Sequence, residues 1–301
     1  MKNRLKKAFF ILFLPILIFL PGFGQAETVK KINIVTTIFP LTDMAAAVGG
    51  DRAQVNQIIP PSVDIHNFQL RPEDLKILSG ADLLLAVGSQ LETWLNKVEK
   101  SLGQANFISL RFYDFLKSIG YPGLRTDDPH LWLDFEADRL LVDKITETLS
   151  KIDPEGKETY RQNGQTLKNE LQFLDDKYRQ TLSGCRQKYL IIAGHQAFGY
   201  LASRYGLILE SLTGANPEAQ PGPRKLQEIV NLIKSERIKA IFVESSTSPA
   251  YAEAIGRETG VKLYPLSTGV NLNKMEIKQK LSFLELMNNN LETLKKGLGC
   301  E

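Results

Sequence analysis

The chain carries three histidines among 301 residues, and none of them lies in an apolar run. His66 follows Pro60-Pro61-Ser62-Val63-Asp64-Ile65, just past a β-branched stretch. His130 sits in Asp127-Asp128-Pro129-His130-Leu131-Trp132-Leu133-Asp134, in a turn ahead of a helical pattern. His195 sits in Ile191-Ile192-Ala193-Gly194-His195-Gln196-Ala197-Phe198, at the junction of a strand and a helix pattern. Neutral imidazole suits Zn and its first-row neighbours, whereas Mn prefers carboxylate oxygen. Three converging imidazoles would therefore hold a divalent transition metal. One loop histidine is most simply a satisfied polar side chain. The separations of 64 and 65 residues carry no local finger-type signature, so only the fold can gather the three.

The elements that would do so alternate. Residues 32–37, 54–59, 83–87 and 107–110 read as β-branched or buried strands. Residues 41–48, 72–78 and 91–102 read as helices between them. This β-α-β-α order predicts a parallel sheet flanked by helices. A helical middle follows. Leu140, Leu141, Ile145 and Leu149 recur at helical spacing across 136–150. Asp153-Pro154-Glu155 is a helix start, and the polar helix it opens runs to about Ser183. Some 27 residues of helix would span about 40 Å, long enough to connect two lobes. The rhythm then repeats, with strands at 189–193, 207–212, 240–244 and 261–264 and helices at 197–205, 224–235, 251–259 and 274–298. Residues 214–223 form a polar, Pro-rich loop. The expected architecture is α/β: two lobes, each a mostly parallel sheet flanked by helices, linked by one long rigid helix. His66 and His130 belong to the first lobe and His195 to the second. Ligands in open α/β sheets bind at the C-terminal strand edge, which is where His66 and His195 fall.

Composition narrows the class. Hydrophobic residues make up 43% and charged residues 24%, values of a globular chain with a sizeable core. The formal charge of +3 rests on Lys2, Arg4, Lys6 and Lys7; without them the remainder sums to −1. No nucleic-acid footprint follows. Those basic residues precede an apolar run of about 13 residues, AFFILFLPILIFL. Small residues follow at Gly24 and Ala26, the pattern of a secretory signal peptide. The run is short of the roughly 20 residues a spanning helix needs, and Pro15 interrupts it. The expected organisation is a signal peptide over 1–26, a first lobe over 27–153, a linking helix over 154–184 and a second lobe over 185–301. Export to a periplasm would permit a disulfide between Cys185 and Cys300. Two separate thiols fit the sequence as well.

Four segments together resemble one known family. VDIHNFQLRPEDLKILSGADLLLAVG, DPHLWLDFEADRLLVDKITETLSKIDP, IIAGHQAFGYLASRYGL and IFVESSTSPAYAEAIGRETGVKLYPL are similar, in order, to the periplasmic zinc/manganese-binding components of ABC transporters. In that family a D-x-H, a P-H-x-W-L-D and an H-x-A-F-G-Y each supply a histidine ligand. The matching positions here are His66, His130 and His195. The resemblance implies a metal in the cleft between lobes and a membrane ABC permease with its ATPase subunit as partner; the expected state of the mature chain is a monomer. It also implies an acid near the last strand, in a Leu-Asp-Pro-Leu-like stretch. This chain reads Leu263-Tyr264-Pro265-Leu266, so Tyr264 stands at that position. Water or Glu244 could fill the fourth site, though Glu244 reads more simply as a hydrogen-bond acceptor behind a ligand. The His-rich loop of many zinc-specific members is absent, because residues 120–128 are short and hold no histidine.

Three imidazoles and a missing acid favour Zn2+ over Mn2+, with manganese or mixed binding as the alternative. Binding should weaken as pH falls, because protonated imidazole is no ligand. A three-histidine zinc hydrolase with Glu244 as base is a more remote reading. Against it, the chain has no H-E-x-x-H motif. A surface adhesin of the same metal-binding family is a third.

Overall fold

The computed structural model describes residues 30–88, 91–103, 107–214, 216, 219–244 and 249–300. The expected signal peptide over 1–26 lies outside the described residues. In the first lobe, β1 (Ile32–Thr36), β2 (Ala53–Gln57), β3 (Leu83–Ala86) and β4 (Ile108–Arg111) form one parallel sheet in the order β2-β1-β3-β4. Strand β3, Leu-Leu-Leu-Ala, is buried throughout, as a central strand covered on both faces requires. The helices of this half are α1 (Phe39–Gly49), α2 (Pro72–Ser79), α3 (Leu95–Leu102), α4 (Phe112–Ser118) and α5 (Phe135–Ile152). Helix α6 (Lys157–Ser183) then leads to the second lobe. There β5 (Tyr189–Ile192), β6 (Ile208–Ser211), β7 (Ala240–Glu244) and β8 (Lys262–Leu266) pair in parallel in the order β6-β5-β7-β8. Helices α7 (Gly199–Arg204), α8 (Pro223–Ser235), α9 (Ala250–Thr259), α10 (Lys274–Gln279) and α11 (Phe283–Leu298) complete it. No helix among the described residues is long and apolar enough to cross a membrane.

Three elements differ from the sequence expectation. Turns occupy 91–94, and helix α3 begins only at Leu95. Helix α4 was not expected; it follows β4 without an intervening loop. The closing helix over 274–298 is two helices. Lys280 takes a left-handed φ of 52°, and Ser282 caps α11 in a reciprocal box with Glu285. An S-x-x-E pair is a start signal even inside a helical pattern.

Helix α6 has 27 residues, about 40 Å at 1.5 Å per residue. The Asp153 side chain accepts from Gly156 N, and Pro154 opens a short 3₁₀ turn ahead of it. Its buried stripe includes Leu167, Leu171, Leu174, Tyr178 and Leu182, and it packs along α5, α1 and α11. Gly164 sits against Thr146 of α5 so closely that no Cβ would fit. Tyr178 Oη donates to Met287 O at 2.5 Å, fastening α6 to α11. The same apolar core runs from Ile34 and Leu85 through Trp132 and Phe135 to Phe198, Phe242 and Phe283. It therefore belongs to both lobes. A smaller cluster around Ile191, Ile229, Ile241 and Ile255 fills the outer side of the second lobe. Cys185 and Cys300 are joined as a disulfide, tying the segment after α6 to the residue beyond α11.

Candidate metal centre

His66 lies on the turn-rich segment that follows β2. Ile58 N and Ile59 N still donate to Thr36 O and Thr37 O, at 2.8 and 3.2 Å, which extends the sheet edge past the strand. Val63 N then donates to Pro60 O, and Asp64 Oδ1 accepts from His66 N at 2.9 Å. This local turn turns the histidine toward the second lobe. His130 precedes the 3₁₀ turn Leu131–Leu133 and the N-terminus of α5, where Asp134 caps Glu136 N. His195 follows β5. Ala193 N donates to Phe242 O at 2.7 Å, Thr213 N to Gly194 O at 3.1 Å and Ala197 N to His195 O at 2.9 Å.

The fold brings all three together. One donor atom from each of His66, His130 and His195 lies within 4.8 Å of the others. The Nε2 atoms of His130 and His195 are 3.3 Å apart. A tetrahedral zinc with Zn–N bonds of 2.0–2.1 Å separates its nitrogens by about 3.3 Å. His130 and His195 are thus already at ligand spacing, and His66 needs to approach by at most about 1.5 Å to join them.

Two carboxylates set the orientation of the imidazoles. Asp128 Oδ1 accepts from His130 N at 3.0 Å and lies 2.9 Å from His130 Nδ1. Glu244, the last residue of β7, places Oε2 at 2.9 Å from His195 Nδ1. At His130 the Nδ1 hydrogen faces Asp128, so Nε2 keeps its lone pair for the cavity; at His195 the Glu244 carboxylate lies on the Nδ1 side of the ring, away from the Nε2 that faces His130. All four groups are buried. The carboxylates come from different lobes, and together they offset a divalent charge. Burial first, then the neighbouring His130 and His195, push His66 down to about 4. It is therefore neutral, and ligand-ready, at physiological pH.

The surroundings are as closely built. Trp132 is fully buried, its ring 5.3 Å from that of His130, and its Nε1 donates to Thr268 O at 2.7 Å. Leu272 N donates to Pro61 O at 2.5 Å. Both bonds tie the segment after β8 to the first lobe. Tyr200 Oη accepts from Arg125 N at 2.9 Å, and Gly199 lies against Asp128 so closely that a side chain there would collide with the carboxylate. The His195-Gln196-Ala197-Phe198-Gly199-Tyr200 motif therefore carries a histidine and also docks the second lobe onto the His130 loop. Arg204 reinforces the joint, pairing with Asp134 at 3.0 Å and with Asp175 of α6 at 2.5 Å.

Sequence reasoning passed over Asp128. Its signal, an acid two residues before a ligand histidine, was present in Asp-Pro-His. Glu244 stands behind His195, where an acceptor was expected. Tyr264 is not among the residues lining the cavity; it packs against Phe242, ring centroids 6.3 Å apart. The lining consists of the three histidines with Asp64, Ile65, Glu244, Thr268, Val270 and Asn271.

Two parallel α/β sheets, a shared core and a buried cavity between their C-terminal edges define a two-lobed binding protein of the solute-receptor class, and the three-histidine cluster fits a zinc ion. Residues 34–297 match the family described as zinc-uptake complex component A, periplasmic. The chain belongs to that family. It is 31% identical over 289 residues to the high-affinity zinc uptake system protein ZnuA of Bacillus subtilis, covering 91% of this chain and 90% of the relative. It is 29% identical to the zinc-binding protein AdcA of Streptococcus pyogenes, of whose length it spans 56%. Among solved structures, the metal-dependent lipoprotein YcdH of Bacillus subtilis superposes with a TM-score of 0.79 at 31% identity, covering 89% of this chain and all of that one. The Zn(II)-bound ZnuA-like domain of Streptococcus pneumoniae AdcA gives 0.76 at 30% identity, covering 89% and 99%.

Proposed function

We propose that this chain captures Zn2+ outside the cytoplasmic membrane and delivers it to an ABC permease with its ATPase subunit. His66, His130 and His195 are the grip. Residues 1–26 are the signal peptide, and the mature monomer consists of a lobe over 27–153, a linking helix over 154–184 and a lobe over 185–301. The observation that carries the proposal is the pair of carboxylate-backed imidazoles at 3.3 Å, one from each lobe. Zinc is favoured over manganese because neither Asp64 nor Glu244 joins the histidines as a close donor, although both line the cavity. A manganese site wants more oxygen than that.

The cavity is about 10 Å³, the space of roughly one water. An ion stripped of its hydration shell fits. The match of residues 34–297 to a zinc-uptake family speaks for transport. The shared core resists wide opening of the lobes.

The test is titration of the metal-stripped mature protein with Zn2+ and Mn2+, beside a His130→Ala variant. Tight one-to-one zinc binding, weak manganese binding and loss in the variant are expected. Preferred manganese binding would move the assignment to that metal. Absence of tight binding for either metal would refute the three-histidine grip.

A further inference from the structure

We infer that Asn271 supplies a fourth, oxygen ligand to the ion, a step that rests on the three-histidine grip proposed above. A tetrahedral ion held by three imidazoles has one position left. Besides the histidines, the polar side chains lining the cavity are Asp64, Glu244, Thr268 and Asn271. Three of these are engaged elsewhere. Asp64 Oδ1 accepts from His66 N at 2.9 Å. Glu244 lies behind His195, at Nδ1 rather than at Nε2. Among His, Cys, Asp and Glu side chains of the described residues, the three histidines alone form a ligand-distance cluster, so neither acid completes it. The Thr268 hydroxyl donates to Val270 O at 3.1 Å, and its carbonyl accepts from Trp132. Donation to Val270 O leaves the Thr268 lone pairs but fixes its side chain on that carbonyl, whereas the Asn271 amide makes no hydrogen bond to another described residue.

The backbone points the same way. Asn271 has a φ of 54°, the left-handed region that Asn tolerates better than other non-glycine residues. Such conformations persist where surrounding structure fixes them, and they concentrate at ligand sites. Here the neighbouring Leu272 N is anchored to Pro61 O, on the same first-lobe segment as His66. That bond ties the segment carrying Asn271 to the one carrying His66, and both residues line the cavity. A neutral amide oxygen would give an N₃O set. It would leave Asp128 and Glu244 to balance the charge and keep the preference for zinc over manganese.

The test uses Co2+ as a spectroscopic stand-in for Zn2+ and thiocyanate as a probe for an open coordination position. Asn271→Gly removes the amide while keeping a residue at ease with positive φ; Asn271→Asp keeps an oxygen. The wild-type cobalt spectrum should be four-coordinate and indifferent to thiocyanate. In Asn271→Gly the spectrum should shift on adding thiocyanate, and zinc affinity should fall roughly 10–100-fold, at least the loss seen when a supporting residue of a metal site is removed. Asn271→Asp should stay closed to the anion. A wild-type site that takes up thiocyanate, or an Asn271→Gly protein with wild-type spectrum and affinity, would overturn the inference while leaving the three-histidine grip intact. Wild-type protein that binds neither Co2+ nor Zn2+ would overturn both.

Discussion

Breaking the Cys185–Cys300 bond should lower stability far more than it lowers metal affinity. The bond closes a loop of 115 residues, which is nearly the whole second lobe. The chain-entropy relation for a loop of that length gives about 4.8 kcal/mol at 25 °C. In a protein of this size each kcal/mol moves Tm by about 2 °C, so the expected fall is about 10 °C. The assay is calorimetry of the metal-free mature protein with and without a phosphine reductant, repeated on a Cys185→Ser/Cys300→Ser double variant. Metal must be absent, because a ligand bound only to the native state would add its own concentration-dependent stabilisation. Zinc affinity of the reduced, still folded protein should be unchanged. The bond lies ahead of the first residue of β5, while His195 follows the last residue of that strand. A fall of less than about 2 °C would refute the loop-entropy account, and a matching loss of zinc affinity would refute the separation of bond and site.

Three further outcomes follow from the geometry. Asp128→Asn and Glu244→Gln should each weaken zinc binding roughly 10–100-fold with the fold retained, as measured by competition with a chromophoric chelator. Arg204→Ala strips the shared cation from Asp134 and Asp175, both buried, and should cost about 3–5 kcal/mol in urea unfolding. Arg52, hydrogen-bonded to Asp153 at 2.7 and 3.0 Å, holds that carboxyl down at about 2 from an ordinary 3.8. The folded value lies below the unfolded one, so the stabilisation is complete above about pH 4 and disappears as pH falls through 2. Arg52→Leu should flatten the pH dependence of unfolding in that window.

Periodicity made most of the framework legible. The β-α alternation, the parallel sheets and the helix opened by Asp153-Pro154 were all readable, because each rests on local patterning. What escaped depended on contacts between distant residues or on a cap inside a helical pattern. Helix α4 was missed because Phe112 to Ser118 directly abuts β4, with no breaker between them. The split of the closing helix was written in Ser282 and Glu285, yet the apolar spacing on either side masked it. At the site, the residue types and loop positions of His66, His130 and His195 were visible from the start. Their convergence was legible only through the family resemblance, since separations of 64 and 65 residues say nothing about distance. Asp128 was written locally, two residues before His130, and passed over; Asn271 was invisible because its place beside the histidines depends on a contact with the distant Pro61 segment.

Gly199 and Asp128 show how far that dependence reaches. Glycine at 199 leaves the space that the Asp128 carboxylate occupies, and that carboxylate orients His130. The two positions form one unit of inheritance. A Cβ at 199 must push the Asp128 Oδ2 aside, and turning that carboxylate disturbs the Oδ1 contact with the His130 imidazole. A survey of all single substitutions would then score Gly199→Ala among the metal-site variants, although residue 199 contributes no ligand atom. The lobe that carries His195 thereby holds a veto over the ligand supplied by the other.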